Sequence, residues 1–381
     1  MRTLIALVLA GAFIFSPVIL PADEVRKPTV EVVFVLDTTG SMTSLIAAAK
    51  DKIWSIVGTL ASARPVPRIK LGLVGYRDRG DEYVTRLTPL TEDIDAVYGD
   101  LMKFQAGGGG DSPESVNQAL SEAVRVISWS AEPDTMRVIF LVGDCPPHMN
   151  YPNDVKYPVS CREAKAKGII INTIQMGNYS DTGPIWREIS RLTQGDYFSI
   201  AMADIHTEYK TPYDKDIAEL AAKHGATRVY YGDSEAQARA EKKMLNESAI
   251  LESSSDSVKA QRSMFNLSEA GKANFAGGYE LVDKVVNGEV SLKDLKQSEL
   301  PEEMRSMTPT QREQYIAAKA EERKKLEKEL QALNTKRQEY IRDLAHKNAS
   351  QEEKSFENQV FKSLKSQGAD KHIELNAEMT Y

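Results

Sequence analysis

Residues 29–41 read TVEVVFVLDTTGS, and this stretch decides the fold. Its first eight residues are a largely β-branched, apolar run that ends at Asp37. Such a run is typical of a central strand that is covered on both faces of a parallel sheet. Apolar residues then recur at helical spacing from Leu45 to Val57, with Ser41 or Thr43 as the helix cap. The stretch therefore predicts a strand, a short acidic loop and a helix.

The same alternation continues to about residue 200. Further strands are predicted at 68–76, 83–90, 136–142, 169–176 and 196–200, and further helices at 94–104, 113–127, 160–167 and 184–192. Strands that alternate with helices predict an α/β fold with a Rossmann-like, doubly wound and mostly parallel sheet. Ligands of such sheets bind beyond the carboxyl ends of the strands, where the strand order reverses.

Composition limits the class of protein. The chain has 381 residues, 41% of them hydrophobic, with 48 Lys and Arg against 55 Asp and Glu. The length predicts two domains, or one domain with a long appendage, and the apolar share is sufficient for a packed core. A net charge of -7 disfavours a non-specific nucleic-acid binder, because such binding needs a basic surface.

The first 22 residues have the pattern of an export signal. Arg2 precedes an apolar run from Leu4 to Phe15, and charged residues begin at Asp23. The alternative is an uncleaved anchor, but Leu4 to Leu20 would span only about 25 Å as a helix, which is short for a bilayer. We expect a signal peptide over residues 1–22, a periplasmic or secreted protein, and no transmembrane segment once the signal is removed.

Export changes the interpretation of the two cysteines. Cys145 and Cys161 would close a loop of about 15 residues, and a disulfide there would contribute roughly 3 kcal/mol in the entropic model. Two free thiols are the alternative. We favour the disulfide, because reactive thiols are a liability after export.

Oxygen-bearing side chains collect on three loops of the predicted sheet. Asp37, Thr39 and Ser41 follow the first strand, Asp111 follows four glycines, and Asp144 follows the strand at 136–142. Carboxylates and hydroxyls are the hard donors that Mg²⁺ prefers. The histidines show no zinc-ligand spacing; they are His148, His206, His224, His346 and His372. The pattern predicts a site for a hard divalent cation.

The segments VFVLDTTGSM, GGGGDSPES and FLVGDCPPH resemble the von Willebrand factor type A domain with its metal-ion-dependent adhesion site. The resemblance covers residues 28–200. It implies Asp37, Thr39, Ser41 and Asp144 as ligands of Mg²⁺, with Mn²⁺ or Ca²⁺ as alternatives. It also implies a non-enzymatic module whose protein or cell-envelope partner completes the metal shell with an acidic side chain.

The second loop departs from this family. Adhesive members commonly carry Thr where Asp111 stands here, with Ser112 as the alternative residue for the position. Three carboxylates more than neutralise a divalent cation, so we expect firmer metal retention and weaker dependence on an acidic partner residue.

Two other functions fit parts of the pattern. The sequence DTTGS also resembles the nucleophile loop of aspartyl-phosphate enzymes, with Asp37 as nucleophile, although Thr38 replaces their usual Lys and the tetraglycine loop stays unexplained. A metal-independent envelope scaffold is the second alternative, in which the acids only cap loops and helices.

The rest of the chain is predicted to be mainly helical. A helix at 214–224 and a strand at 227–231 are expected to extend the sheet as an edge within residues 201–235, and residues 236–381 form a helical C-terminal region with a polar linker at 248–257. Thr308 and Gln311 have the form of a capping box that opens a helix to about His346.

That long helix carries a heptad-like seam interrupted by Arg337. Its members are Leu326, Leu330, Leu333, Tyr340 and Leu344. One interpretation is an intramolecular hairpin in which Phe356, Val360, Phe361 and Leu364 return along the seam. The other is a homodimeric coiled coil, which we rank second because only three heptads are present.

Overall fold

The computed structural model describes residues 27–110, 112–201, 209–347 and 355–375. Within these ranges six strands form one sheet: β1 (Thr29–Asp37), β2 (Arg68–Tyr76), β3 (Thr85–Thr91), β4 (Thr135–Gly143), β5 (Ile169–Met176) and β6 (Tyr197–Ile200). Their order is β3-β2-β1-β4-β5-β6, and every neighbouring pair is parallel except β2 and β3. The predicted mostly parallel, doubly wound sheet is confirmed.

Burial explains why the first strand lies at the centre. All nine residues of β1 are buried, as are all nine of β4, so neither strand could lie at an edge. In contrast, β3 has only one buried residue, Thr88, and carries Pro89, which suits an edge strand. β2 and β3 pair antiparallel, as the two strands of a hairpin do.

Five helices flank the sheet: α1 (Thr43–Ala61), α2 (Ile94–Met102), α3 (Val116–Arg125), α4 (Tyr157–Ala166) and α5 (Thr182–Leu192). α1 and α2 share one hydrophobic core with Val32 and Phe34 of β1. α3, α4 and α5 share a second core with Val33 and Val35, the neighbouring positions of the same strand. Successive side chains of a strand point to opposite faces, so these two cores lie on the two faces of the sheet.

The remaining described residues form eight helices: α6 (Asp214–Gly225), α7 (Ser234–Ser253), α8 (Asp256–Leu267), α9 (Lys272–Ala276), α10 (Leu281–Val286), α11 (Glu302–Arg305), α12 (Pro309–Lys347) and α13 (Phe356–Ala369). The predicted helical C-terminal region is confirmed. None of the helices in the described ranges has the length and apolar character needed to cross a membrane.

The C-terminal helices share a core with the sheet. Phe265 of α8 and Phe356 of α13 belong to the same buried cluster as Trp54 of α1. The ammonium of Lys52 on α1 lies 2.6 Å from Glu357 of α13, and both side chains are buried. One face of α1 is therefore covered by residues more than two hundred positions away along the chain.

The long helix begins as predicted. The Thr308 N–H donates to Gln311 Oε1 over 2.8 Å, and the Gln311 N–H donates to Thr308 Oγ1 over 3.3 Å, which is a reciprocal capping box. Arg337 does not interrupt the seam, because its guanidinium is fully buried and donates to Asp214 of α6 over 2.8 Å.

The predicted return of residues 356–364 along that seam is wrong. Phe356, Val360, Phe361 and Leu364 instead pack into the core that contains α1 and β4. The seam residue Leu330 is buried within the chain against Ile217 of α6 and Ala260 of α8. A homodimer through this helix stays a prediction.

Two local predictions in the C-terminal half are also wrong. Residues 227–231 add no strand to the sheet; Tyr231 N–H donates to Tyr279 O, and Tyr230 makes an isolated bridge with Glu280. This segment finds its backbone partners next to α10 and not at β6. The polar stretch 248–257 is mostly helical, because α7 runs to Ser253. The domain boundaries at 200 and 235 stay predictions.

The favoured disulfide is absent. Both cysteines are free: Cys161 is buried in α4 beside Ile189, whereas Cys145 lies in the loop after β4 next to Ser112. The inward face of α4 directs Cys161 into the core and not toward that loop.

Candidate functional site

The strand order reverses between β1 and β4, and sheets of this kind bind ligands in the crevice beyond the carboxyl ends of the two strands at such a point. Asp37 is the last residue of β1, and Asp144 directly follows β4. Gly143 allows this close approach, because a Cβ at that position would lie only 2.9 Å from Asp37 Cβ. The two carboxylates therefore face the same crevice.

Hydrogen bonds within the first loop fix one oxygen of Asp37. Its Oδ1 accepts from the Thr39 N–H over 2.8 Å and from the Thr39 hydroxyl over 2.7 Å. The Thr39 hydroxyl is in turn 3.3 Å from that of Ser41. A short helical turn at Gly40–Met42 then leads into α1. The structure thus brings one carboxylate and two hydroxyls of the predicted set together.

Asp37 and Asp144 each have one buried oxygen without a hydrogen-bond partner in the described residues. Asp37 Oδ2 and Asp144 Oδ1 are buried without a hydrogen bond, and so is the phenol oxygen of Tyr76. Burial raises the pKa of Asp37 to about 7 against the favourable bonds from Thr39, and the charge of Asp144 raises it further. Unpaired buried carboxylates are costly, which is why a cation is favoured at this point.

The glycine-rich loop lies directly beside the first loop. Gly107 N–H donates to Thr38 O over 3.1 Å, and Gly40 N–H donates to Gly108 O over 3.2 Å. Gly108 and Gly109 both have positive φ, and Gly109 N–H donates to Asp81. A side chain at Gly108 would collide with Asp81. The four glycines therefore let two loops touch backbone to backbone.

The second loop carries the predicted ligand Asp111 and its alternative Ser112. Asp111 lies outside the described residues. Ser112 is exposed, and its hydroxyl donates to Cys145 Sγ over 3.3 Å. The assignment of Asp111 to the metal shell stays a prediction.

Glu114 is the acidic residue of this loop that our reading of the sequence missed. Only 2% of it is exposed, and its Oε2 has no hydrogen bond among the described residues. Burial raises its pKa to about 9, with the charges of Asp37 and Asp78 as the next causes. The sequence pattern predicts a helix from Pro113, which would place Glu114 in its first turn. The helix instead begins at Val116, so that Glu114 belongs to the loop.

A second set of polar contacts supports the crevice. Asp78 accepts from the Ser115 hydroxyl and from the Tyr151 phenol, each over 2.8 Å. His148 Nε2 lies 3.2 Å from the same carboxylate, and its ring stacks on Tyr151. These contacts join the loops after β2 and β4 to the start of α3.

The donor set fits a hard divalent cation. Asp37, Asp144 and Glu114 offer carboxylate oxygens, and Thr39 and Ser41 offer hydroxyls. In the described part of the chain, no three Asp, Glu, His or Cys side chains are close enough to form a ready cage. The hydroxyls and solvent would therefore complete the shell, as is usual for Mg²⁺.

Known proteins are similar to this chain over its first half. Residues 31–201 match the family model described as von Willebrand factor A domain. A putative ariadne-like RING finger protein of Acanthamoeba polyphaga mimivirus is 22% identical over 186 residues, which is 45% of this chain. The match covers only 18% of that relative's length.

Two solved structures are similar over a comparable part of the chain. One is a von Willebrand factor type A protein from Catenulispora acidiphila, 19% identical, covering 46% of this chain and 39% of that one with a TM-score of 0.35. The other is proximal thread matrix protein 1 from the mussel byssus, 13% identical, covering 46% and 43% with a TM-score of 0.35.

Proposed function

We propose that this chain, whose residues 31–201 form a von Willebrand factor A domain, is an exported module that binds a protein or cell-envelope partner through a divalent cation. Domains of this family commonly mediate protein interactions. The proposal includes no catalytic turnover. Residues 1–22, with their basic start and apolar run, support the exported location.

One observation carries the proposal: the buried Asp37 Oδ2, without a hydrogen bond in the described residues, beside the equally unpaired Asp144 Oδ1. Native proteins rarely leave such oxygens unmatched unless an ion or water occupies the place. Asp37, Thr39, Ser41 and Asp144 would hold the cation. When bound, it would supply a Lewis-acidic position for an oxygen of the partner.

The geometry of Asp37 also supports a binding role over that of a nucleophile. The residue is fully buried, and Oδ1 is already engaged by two hydrogen bonds from Thr39. An attacking carboxylate must reach the atom that it attacks. The remaining oxygen instead faces Asp144, where a shared cation relieves the repulsion between them.

Calorimetry with Mg²⁺ tests the metal. We expect the wild-type chain to bind Mg²⁺ and Asp37→Ala to show no measurable heat of binding. The matched control is Asp134→Asn, an exposed acid just before β4 at the opposite end of the sheet, which should bind as the wild type does. Absence of Mg²⁺, Mn²⁺ and Ca²⁺ binding by the wild type would refute the proposal.

The partner is tested with the same variants. The immobilised chain is exposed to solubilised envelope of the parent cell in Mg²⁺ and in EDTA. We expect a partner that is retained only in Mg²⁺, and that Asp37→Ala fails to retain. Retention that is equal in EDTA would favour the metal-independent scaffold.

A further inference from the structure

The backbone of Glu114 is fixed to the loop after β4. Its N–H donates to Pro146 O over 2.9 Å, and its carbonyl accepts from the His148 N–H over 3.0 Å, which forms an isolated parallel bridge around Pro147. Turning this residue toward solvent would break both hydrogen bonds. The bridge therefore holds the side chain of Glu114 on the crevice side of the second loop.

The carboxyl group of Glu114 lies next to the first loop. An added Cβ at Gly109 would be 3.3 Å from Glu114 Oε1 and 3.1 Å from Thr39 Cβ, so both side chains approach the same glycine. Glu114 Oε2 is buried and makes no hydrogen bond within the described ranges. A carboxyl group in this condition is expected to have a partner in the working protein.

We propose that Glu114 is the metal ligand of the second loop, and that the cation it shares with Asp37 and Asp144 accepts a neutral oxygen, and not a carboxylate, from the partner. This inference rests on the proposed function, because it concerns the same cation. In the described residues these acids do not already form a metal cage, so the cation would have to draw the three carboxylates together against their mutual repulsion.

Charge explains the choice of partner atom. Three carboxylates place three negative charges around two positive ones, so the loaded site keeps a net charge of about -1. Asp78 and Asp81 stand close by on the β2–β3 turn and add to the negative field. An incoming carboxylate would be repelled, whereas a hydroxyl, an amide oxygen or water would meet no such barrier.

Mn²⁺ is the probe for the test, because it reports both affinity and bound water. Electron paramagnetic resonance of free Mn²⁺ gives the affinity of the full chain, and water-proton relaxation gives the number of exchangeable waters on the bound ion. Glu114→Gln is compared with the wild type and with Glu122→Gln on α3, whose Oε2 is likewise buried without a hydrogen bond in the described residues and whose Oε1 accepts from Gln118. Glu114→Gln removes a buried charge while keeping the shape, and circular dichroism checks its fold.

We expect Glu114→Gln to weaken Mn²⁺ binding by at least the 10- to 100-fold that loss of an outer-shell partner typically produces. Glu122→Gln should bind as the wild type does. Adding acetate should leave the waters on wild-type-bound Mn²⁺ in place and should displace one from the Glu114→Gln complex. Glu114→Asp, which keeps the charge on a shorter stem, should fall between the two.

The outcomes separate this inference from the proposed function. Equal Mn²⁺ affinity of wild type and Glu114→Gln would overturn Glu114 as a ligand while leaving the metal site intact. Displacement of wild-type water by acetate would overturn the neutral-oxygen partner. A wild type that does not bind Mn²⁺ would refute the proposed function itself.

Discussion

Two clusters of buried acidic side chains differ in whether a basic side chain of the protein pairs with them, and their pKa values shift in opposite directions. In the crevice, Asp37 and Glu114 are buried and make no ion pair with a Lys or Arg of the described residues, and burial raises the pKa of each. Between α2 and α8, Asp95 is equally buried, but Arg262 donates two hydrogen bonds to its carboxylate, over 2.6 and 2.8 Å. Burial there would raise the pKa of Asp95, yet the charge of Arg262 outweighs it and the pKa falls well below its usual range.

The second cluster joins the C-terminal helices to the sheet. Arg262 also reaches Glu247 of α7 over 3.1 Å, and Lys243 lies 3.4 Å from Asp95. In this cluster, which connects helices, the neutralising positive charge comes from the Arg and Lys side chains of the chain itself. Around Asp37 and Glu114 no Lys or Arg of the described residues makes such an ion pair, which is the arrangement expected where the cation comes from solution.

The largest expected effect comes from removing the arginine that pairs with Asp95. Arg262→Met leaves Asp95 buried without its main cation, and we expect the free energy of unfolding to fall by about 3–5 kcal/mol. Urea denaturation followed by circular dichroism measures it. Arg239→Met on α7 is the control, because its solvent-exposed pair with Glu235 contributes little to stability. Equal losses for the two variants would contradict the comparison.

A pH series sharpens the contrast on the crevice side. The folded-state pKa values of Asp37 and Glu114 lie above their unfolded values, so the metal-free folded protein binds more protons than the unfolded chain. Their stabilisation is complete below about pH 4 and is lost as the pH rises through about 7 and 9.

In EDTA we therefore expect the free energy of unfolding to decrease by about 3 kcal/mol between pH 5 and pH 8, within the limit of about 1.4 kcal/mol per pH unit for each group. Saturating Mg²⁺ should remove most of this decrease, because the ion stabilises the charged forms. Denaturation in both conditions measures it, and a metal-free stability that rises with pH would disprove the assignment.

The smallest expected effect comes from replacing one Asp by Asn in each of the two clusters. Asp37→Asn keeps an oxygen that can accept from Thr39 and removes a charge that has no internal cation. In EDTA at pH 8 we expect it to stabilise the fold by about 1–2 kcal/mol, the lower part of the range seen when buried ions are replaced. Asp95→Asn should destabilise, because it leaves Arg262 without its carboxylate. Thermal unfolding of both variants measures the sign, and the same sign for both would count against the contrast.

The sequence was sufficient to predict what depends on local pattern. Continuous apolar runs predicted β1 and β4 as central strands, and parallel strands align their carboxyl ends, so Asp37 and Asp144 could be expected at one crevice. The reciprocal capping of Thr308 and Gln311 was also predictable, because it involves residues three apart.

Contacts between distant residues were beyond such reasoning. Glu114 was missed because Pro113 resembles a first helical residue, whereas the bridge to Pro147 delays the helix. The one available signal was an acid three residues after Asp111 on the same glycine-rich loop. Arg337 looked like a break in a seam because Asp214, its partner, lies 123 positions earlier.

The helices packed on α1 have a practical consequence for anyone shortening this chain. The segment that matches the von Willebrand factor A model ends at residue 201. Trp54 and Lys52 of α1 nevertheless contact Phe265 and Glu357, and both of these partners lie beyond that residue. A fragment cut at residue 201 would expose an apolar helix face that starts just after Ser41. The packed core thus extends past the matched segment, and the boundaries of an expressed fragment should follow the core.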